Sequence, residues 1–176
     1  MTPARPSRLH HRATVCRDQE ATRAFYEGIL GLPLVATWAE DDELGTYCHT
    51  FFELADGSCL AFFQFSDPEV TEHHAAQASK SPFDHVALAV TTALQQQVHE
   101  RASARGVDTI TVDHGYCVSM YLRDPDGMVV ELTADDPRAL ADAAVRRAKA
   151  REDLDRWLAG DHATNNAYRM AVPPAD

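Results

Sequence analysis

Residues 120–132 read MYLRDPDGMVVEL, and this stretch decides the fold. Two apolar segments of alternating pattern are joined by Asp124-Pro125-Asp126-Gly127, and these residue types are typical of a tight turn. The stretch therefore predicts a β-hairpin between strands at 117–123 and 128–133. A similar arrangement occurs earlier in the chain, where Asp56-Gly57 separates predicted strands at 46–54 and 59–65.

The segments around the two hairpins also recur in the same order. A predicted strand at 9–16 precedes a helix that Asp18 can cap and Gly31 can end. A predicted strand at 83–90 precedes a helix capped by Thr91 or Thr92 and ended by Gly106. Further strands are predicted at 33–38 and 107–112, and an acidic loop at 40–43. Each half is therefore predicted to be a βαβββ unit.

We expect one domain over residues 1–176, because a chain of 176 residues with 45% hydrophobic composition fits a single core. Its fold class is α+β, with two βαβββ modules and a helix at the C-terminal end. The predicted parts are a first module at 8–66, a polar connector at 67–82, a second module at 83–136, a helix at 137–160 and a tail at 161–176.

Composition excludes several classes of partner. A formal net charge of −11 and a pI near 5.1 would repel nucleic acid and anionic lipid. The sequence has neither a signal-like start nor an apolar run near the roughly 18 residues of a membrane span. We expect a cytoplasmic protein without nucleic-acid or membrane partners. The four cysteines lack CxxC spacing and are expected to be reduced, packed thiols.

Three residues are candidate metal ligands. His11 and His85 occupy matching places near the start of each half, so a pseudo-twofold arrangement of the halves would bring them together. A single strand histidine is more often a core or surface residue, but Glu131 lies among apolar residues, where an ionised carboxylate needs a compensating cation or donor. Two imidazoles and one carboxylate suit Fe(II), Mn(II), Ni(II) or Zn(II) and leave open coordination positions.

These segments resemble the vicinal oxygen chelate superfamily, which includes glyoxalases, bleomycin resistance proteins and extradiol dioxygenases. The resemblance covers roughly residues 8–136 and rests on the segments 24–32, 83–88 and 124–132. It implies paired βαβββ modules that form a cup-shaped mixed sheet around a metal site, where the metal binds substrates through adjacent oxygens and stabilises enolate or catecholate charge. Many members of that superfamily are dimers, so a homodimer that binds a small molecule is expected.

The ligand set departs from the superfamily pattern in the first half. His10 is an alternative to His11, which we favour by its register with His85. The usual fourth ligand is a glutamate on the last strand of the first half, but counting from the turn places Ala61 there. Gln64 could replace it only if a bulge shifted the register.

The spacing from Val112 to Glu131 is similar to the signature of the extradiol dioxygenases, in which a histidine and a tyrosine border the substrate. By that resemblance His114 and Tyr121 are catalytic candidates. A purely structural role, as a turn histidine and as a half-buried strand tyrosine, is the equal alternative for each. Such enzymes usually carry another histidine on the preceding module's last strand, where 59–65 has none. His49, on the neighbouring strand, is a candidate substitute; His73 and His74 fit surface positions.

Three functional hypotheses follow. The first is an Fe(II) dioxygenase acting on a catechol-like or other vicinal-oxygen small molecule, with His114, Tyr121 or His49 handling protons. The second is a non-oxidative lyase, isomerase, epimerase or thiol transferase in which Mn(II), Ni(II) or Zn(II) is a Lewis acid. The third, a metal-free binding protein, is disfavoured by the ligand set.

Overall fold

The computed structural model describes residues 5–170 and confirms two βαβββ modules of the α+β class. The first module consists of β1 (His11–Val15), α1 (Gln19–Phe25), a π-helical turn (Tyr26–Leu30), β2 (Leu34–Asp42), β3 (Gly45–Glu53) and β4 (Cys59–Phe65). After α2 (Pro68–Ala75), the second module consists of β5 (His85–Ala89), α3 (Thr92–Ser103), β6 (Thr109–Asp113), β7 (Cys117–Arg123) and β8 (Val129–Asp135).

Each module forms its own four-stranded mixed sheet. The strand orders are β1-β4-β3-β2 and β5-β8-β7-β6, so the two sheets have the same topology. In each sheet the first strand runs parallel to the last, and the remaining pairs are antiparallel. The internal repeat in the sequence is thus a repeat of strand topology.

One apolar core joins the modules. Phe25 and Tyr26 pack into the same buried cluster as Phe62 of β4 and Val130 and Leu132 of β8. Because side chains alternate along a strand, each sheet has an inner face toward this core and an outer face turned away from it. His11 and His85 lie on the outer faces of their sheets.

The predicted helix ends agree with the structure. The Asp18 carboxylate accepts hydrogen bonds from the backbone N–H groups of Glu20 and Ala21, and the Thr91 hydroxyl accepts one from Leu94 N–H. Gly31 adopts a left-handed conformation with φ of 80° at the end of the π-helical turn, where a side chain would be strained. These contacts hold α1 and α3 in place between the strands that they connect.

Polar contacts also link the modules. The buried Tyr26 hydroxyl donates to Asp124 Oδ2 at 2.9 Å, and Arg17 pairs with Asp126 at 2.9 Å. Arg12, next to His11, points inward and contacts the sulfur of Met128. All three contacts converge on the turn before β8, the strand that carries Glu131.

The structure differs from the sequence prediction in three segments. The connector contains α2, which begins at Pro68 with Asp67 as its cap. The acidic segment predicted as a loop belongs largely to β2, which continues to Asp42. The predicted C-terminal helix is divided at Asp142 into α4 (Pro137–Ala141) and α5 (Ala143–Leu158).

The predicted tail contains one further helical turn, α6 (Ala167–Met170), and its last six residues lie outside the described residues. All four cysteines are free thiols, as expected. Between residues 5 and 170, none of the helices combines the length and the apolar composition that crossing a membrane requires.

Candidate metal centre

His85 and Glu131 meet on the outer face of the second sheet. His85 Nε2 lies 2.7 Å from Glu131 Oε2, and the Glu131 side chain is only 9% exposed. The other ring nitrogen of His85, Nδ1, lies 3.1 Å from the carbonyl oxygen of Pro82. The carbonyl contact at Nδ1 orients the His85 ring so that Nε2 faces Glu131, and an imidazole held in this way through Nδ1–H can bind a metal through the Nε2 lone pair.

Tyr121 extends this pair into a line of hydrogen bonds. Its hydroxyl donates to Glu131 Oε1 at 2.9 Å, and His114 Nε2 lies 2.9 Å from the same hydroxyl. Since the Tyr121 hydroxyl donates its proton to the hydrogen bond with Glu131, the Tyr121 oxygen can accept a hydrogen bond from His114 Nε2–H. The structure therefore joins His114, Tyr121, Glu131 and His85 in one continuous network.

The charge states in this network follow from its surroundings. Burial acts to raise the pKa of Glu131, but hydrogen bonds from Ser119, Tyr121 and Thr133 outweigh it and lower the pKa below the ordinary value. Burial and the Glu131 carboxylate raise the pKa of Tyr121 to about 12. At neutral pH the glutamate is thus an anion and the tyrosine a protonated donor.

A cavity of about 800 Å³ opens above the network. Its size falls in the range of small-molecule sites. Its walls combine the four network residues with large apolar side chains, among them Phe83, Ile110 and Tyr116. Phe83 is 92% exposed and Ile110 66% exposed, so part of this wall is uncovered in a single chain.

His11 lies on the outer face of the first sheet. Its nearest rings are His10, at 5.0 Å between centroids, Phe51 at 5.8 Å and His49 at 6.5 Å. The Nδ1 atoms of His10 and His11 are 2.7 Å apart. Within residues 5–170 of one chain, no group of three or more His, Cys, Asp or Glu side chains could hold a metal ion. One chain therefore brings two of the three predicted ligands together.

His49 occupies an aromatic environment on the same outer face as His11. Its ring stacks on Phe63 at 3.7 Å between centroids and lies 4.2 Å from Phe51. It is 9% exposed, and Nε2 has no hydrogen-bond partner among the described residues. Burial lowers the pKa of His49, so the ring is neutral at pH 7. It lies on the module opposite to His114 and Tyr121.

The strand registers settle the position of the missing fourth ligand. Ala13 pairs with Ala61 in the first sheet as Ala87 pairs with Glu131 in the second. Ala61 thus occupies the place of a glutamate, as the sequence count indicated. Gln64 cannot substitute, because β3 and β4 pair without a bulge and its amide is bonded to the backbone of Arg17 and Gln19 on the inner side.

Of the two histidines expected at the surface, His73 is exposed and His74 is half-buried. His73 contacts Gln77 and His74 stacks on Phe65, both from the connecting helix α2. The sequence prediction missed Ser119, whose hydroxyl lies 3.3 Å from that of Thr133 and helps to lower the pKa of Glu131. The available signal was its spacing of two residues from Tyr121, which places both side chains on the same face of β7.

The donor set fits a divalent transition ion. The Nδ1 atoms of His11 and His85 each contact a neighbouring group. Of the two Glu131 carboxylate oxygens, one accepts from Tyr121 and the other faces His85. Imidazole nitrogen and carboxylate oxygen together suit Fe(II), Mn(II), Ni(II) or Zn(II). A third protein ligand would have to approach from outside the second sheet.

The sequence matches a known family model, and the fold matches solved structures. The family model described as Glyoxalase/Bleomycin resistance protein/Dioxygenase superfamily matches residues 8–132. No curated protein matches the sequence. A glyoxylase/bleomycin resistance protein/dioxygenase domain from Frankia sp. EAN1pec is 16% identical with a TM-score of 0.61, and the match covers 75% of this chain and 100% of that one.

Two fosfomycin resistance proteins also share the fold. A point mutant of FosX from Listeria monocytogenes, complexed with Mn(II) and 1S,2S-dihydroxypropylphosphonic acid, is 19% identical with a TM-score of 0.57 over 76% of this chain and 97% of that one. FosX from Mesorhizobium loti is 23% identical with a TM-score of 0.54 over 73% and 91%. At these identities the similarity shows the fold alone.

Proposed function

Because the chain belongs to the glyoxalase/bleomycin resistance protein/dioxygenase superfamily, we propose that it is a metal-dependent enzyme. The reaction that we favour is an extradiol-type, Fe(II)-dependent reaction of dioxygen with a catechol-like or other small molecule that has adjacent oxygens. The observation that carries this proposal is the line from His85 through Glu131 and Tyr121 to His114. Two proton-bearing side chains, Tyr121 and His114, thus lie beside the two candidate ligands in the wall of a cavity.

We further propose that His11 of a second copy completes the site of a homodimer. In one chain, the outer faces of both sheets carry large apolar side chains that are exposed. Beside the cavity, Phe83 and Ile110 are largely exposed, and on the first sheet Trp38 is 57% exposed. Large exposed apolar groups of this kind mark surfaces that another molecule covers. Two chains that cover each other's outer faces would bring His11 toward His85 and Glu131.

The chain's own residues then have separable roles. A bound divalent ion would supply positive charge for two adjacent substrate oxygens and leave a position open for a co-substrate. Tyr121 keeps its proton at neutral pH and can hydrogen-bond a substrate oxygen or hold Glu131 in place. His114 Nε2, 2.9 Å from the Tyr121 hydroxyl, can replace a proton lost from that hydroxyl.

His49 would act from the partner's first sheet together with His11. Its neutral ring has a buried Nε2 without a hydrogen-bond partner among residues 5–170, so it can accept a proton from a substrate hydroxyl that reaches this atom. Phe51 and Phe63 beside it offer flat apolar contacts to a planar ring. This surface supports an aromatic substrate.

A non-oxidative reaction of the lyase, isomerase or thiol transferase type is the second candidate. One observation favours it: β4 carries no histidine where extradiol enzymes usually have one. FosX, which shares the fold, is described with Mn(II). In this alternative the same ligands would hold Mn(II), Ni(II) or Zn(II), and turnover would not consume oxygen.

Metal analysis after anaerobic purification tests the proposal, followed by oxygen uptake with a panel of catechols. We expect stoichiometric iron and substrate-dependent oxygen consumption. His85→Ala should lose the metal, whereas the surface variant His73→Ala should retain it. Metal-dependent turnover of a substrate without oxygen uptake would support the second candidate. Absence of any bound transition metal after reconstitution would refute both.

A further inference from the structure

The cavity is bordered by a loop that the C-terminal arm holds. This loop comprises residues 114–116, between β6 and β7, and carries His114 and Tyr116 into the cavity wall. The arm comprises residues 161–170, after α5. The family model ends at residue 132, so the arm is an addition to the shared domain.

Asn166 makes the direct connection between arm and loop. Its Nδ2 donates to the carbonyl oxygen of His114 at 3.1 Å, and its Oδ1 accepts from the backbone N–H of Arg169 at 3.1 Å. One amide side chain thus ties the backbone of the catalytic candidate to the helical turn α6. Because the bond is to the His114 main chain, it leaves the imidazole free to contact Tyr121.

Gly115 shows how closely the arm approaches. A Cβ atom at this position would overlap the backbone of Tyr168 and Arg169. Its φ of +80° also disfavours a side chain. The loop is further shaped by the Gly115 N–H, which donates to Asp113 Oδ1 at 2.7 Å. Glycine here permits backbone-to-backbone contact between loop and arm.

The arm itself is anchored at its far side. The Tyr168 hydroxyl donates to Asp142 Oδ2 at 2.5 Å, and the Arg146 guanidinium carbon lies 6.0 Å from the centre of the Tyr168 ring. Asp142 and Arg146 belong to the junction between α4 and α5. The arm therefore bridges this junction and the cavity loop.

We propose that the arm is a clamp that positions His114 against Tyr121. The loop follows β6 directly, and the arm contacts its backbone at His114 and Gly115. The bond from Asn166 and the contact at Gly115 fix the position of the His114 backbone relative to the sheet. Asn166 is thus a positioning residue, and its effect on turnover rests on the proposed function.

Two variants loosen the clamp by different routes, and each has a matched control. Asn166→Ala removes the bond to His114, and Asn165→Ala changes the exposed neighbour. Gly115→Ala forces the arm away, whereas Gly106→Ala imposes similar strain at φ +69° with no atom within 4 Å of the added carbon. A difference between each pair isolates the contact from general destabilisation.

The first readouts need no substrate. In protein labelled with ¹⁵N-histidine, the His114 ring signal is assigned by its loss in His114→Gln. We expect this signal to shift or broaden in Asn166→Ala and Gly115→Ala, and amide exchange at 115–118 to rise about threefold to tenfold in Asn166→Ala, the effect of one lost hydrogen bond. In Gly115→Ala, amide exchange at 167–169 should also rise. The two controls should match the wild type.

An unchanged His114 signal in both clamp variants would overturn the proposal, as would arm amides in Gly115→Ala that stay as protected as in the wild type. With 4-nitrocatechol as substrate probe, the clamp variants should lose turnover while their metal content and KM stay near the wild-type values. Unchanged kcat in loosened variants would contradict the positioning role. A wild type without metal-dependent turnover would instead refute the proposed function and leave the spectra to decide the clamp.

Discussion

Replacing Tyr26 with phenylalanine should destabilise the fold at the contact between the modules. Tyr26 is 0% exposed and Asp124 is 7% exposed, and the hydroxyl donates to Asp124 Oδ2. The other oxygen of Asp124 accepts from the backbone N–H groups of Asp126 and Met128. The substitution therefore removes the hydrogen-bond donor of Oδ2 and leaves the other two donors in place.

The size of the effect follows from burial. A buried acceptor that loses its donor costs about 1–3 kcal/mol, and the void left by one hydroxyl adds little. In a domain of this size, about 2 kcal/mol lowers Tm by about 4–8 °C. Tyr47→Phe is a matched control, because that hydroxyl bonds Glu40 at the surface. The control should lose less than about 0.5 kcal/mol.

The loss should also depend on pH. Burial raises the pKa of Asp124, and the Tyr26 hydrogen bond opposes that rise. A carboxyl with a raised folded-state pKa binds more protons in the folded state, so stability falls as pH rises above the ordinary value of 3.8. Without Tyr26 the folded-state pKa rises further and the fall is larger. Tyr26→Phe should therefore cost more at pH 7 than at pH 4.

Urea denaturation at both pH values measures these quantities. A loss below about 0.5 kcal/mol at pH 7, equal to that of the Tyr47 control, would refute the role of the buried pair. An equal loss at pH 4 and pH 7 would show that Asp124 is not the group responsible. Either result would remove the link that we infer between the modules at the turn before β8.

Three further predictions concern the site itself. Tyr121→Phe should retain the metal but turn over about tenfold to a hundredfold more slowly, since one hydrogen bond to a charged group contributes about 1.5–3 kcal/mol; metal content and oxygen uptake check this, and metal loss would contradict it. Gln64→Ala should cost about 1 kcal/mol of stability and leave metal affinity unchanged, because its amide faces inward; weaker metal binding in titration calorimetry would show otherwise. Because hydrogen bonds lower the pKa of Glu131, its contribution to stability is present above the ordinary pKa of 4.5 and is lost on acidification. Glu131→Gln should therefore flatten the acid side of the stability profile of the metal-free protein, measured by urea denaturation from pH 3 to 6, and an unchanged profile would argue against this.

The sequence predicted the modules well because their signals are local. The caps Asp18 and Thr91 and the two Asp-Gly turns satisfy backbone groups within a few residues, and the structure shows them in place. The register count from Asp56-Gly57 also located Ala61 correctly. His85 and Glu131 come together because they lie on one sheet, where strand pairing fixes their distance.

Other features depend on information that a local pattern lacks. The repeat predicts that His11 and His85 occupy equivalent positions in the two modules. It does not determine whether these histidines meet within one chain or between two chains, because both arrangements can have twofold symmetry. The polar composition of 67–82 predicts a connector, but Pro68 within it is of the residue type that is also favoured at the first position of a helix. Acidic residues at 40–43 suggested a loop, but the edge strand β2 tolerates them because they lie in solvent.

We propose that His11 of one copy binds the same metal ion as His85 and Glu131 of another copy. Co-expression of two differently tagged chains, His11→Ala and Glu131→Ala, tests it most directly after tandem purification of the mixed dimer. Each variant alone should bind no metal, whereas the mixed dimer should contain one intact site and bind one metal ion per dimer. A mixed dimer that binds no metal, alongside a wild-type dimer that binds two, would contradict the shared site.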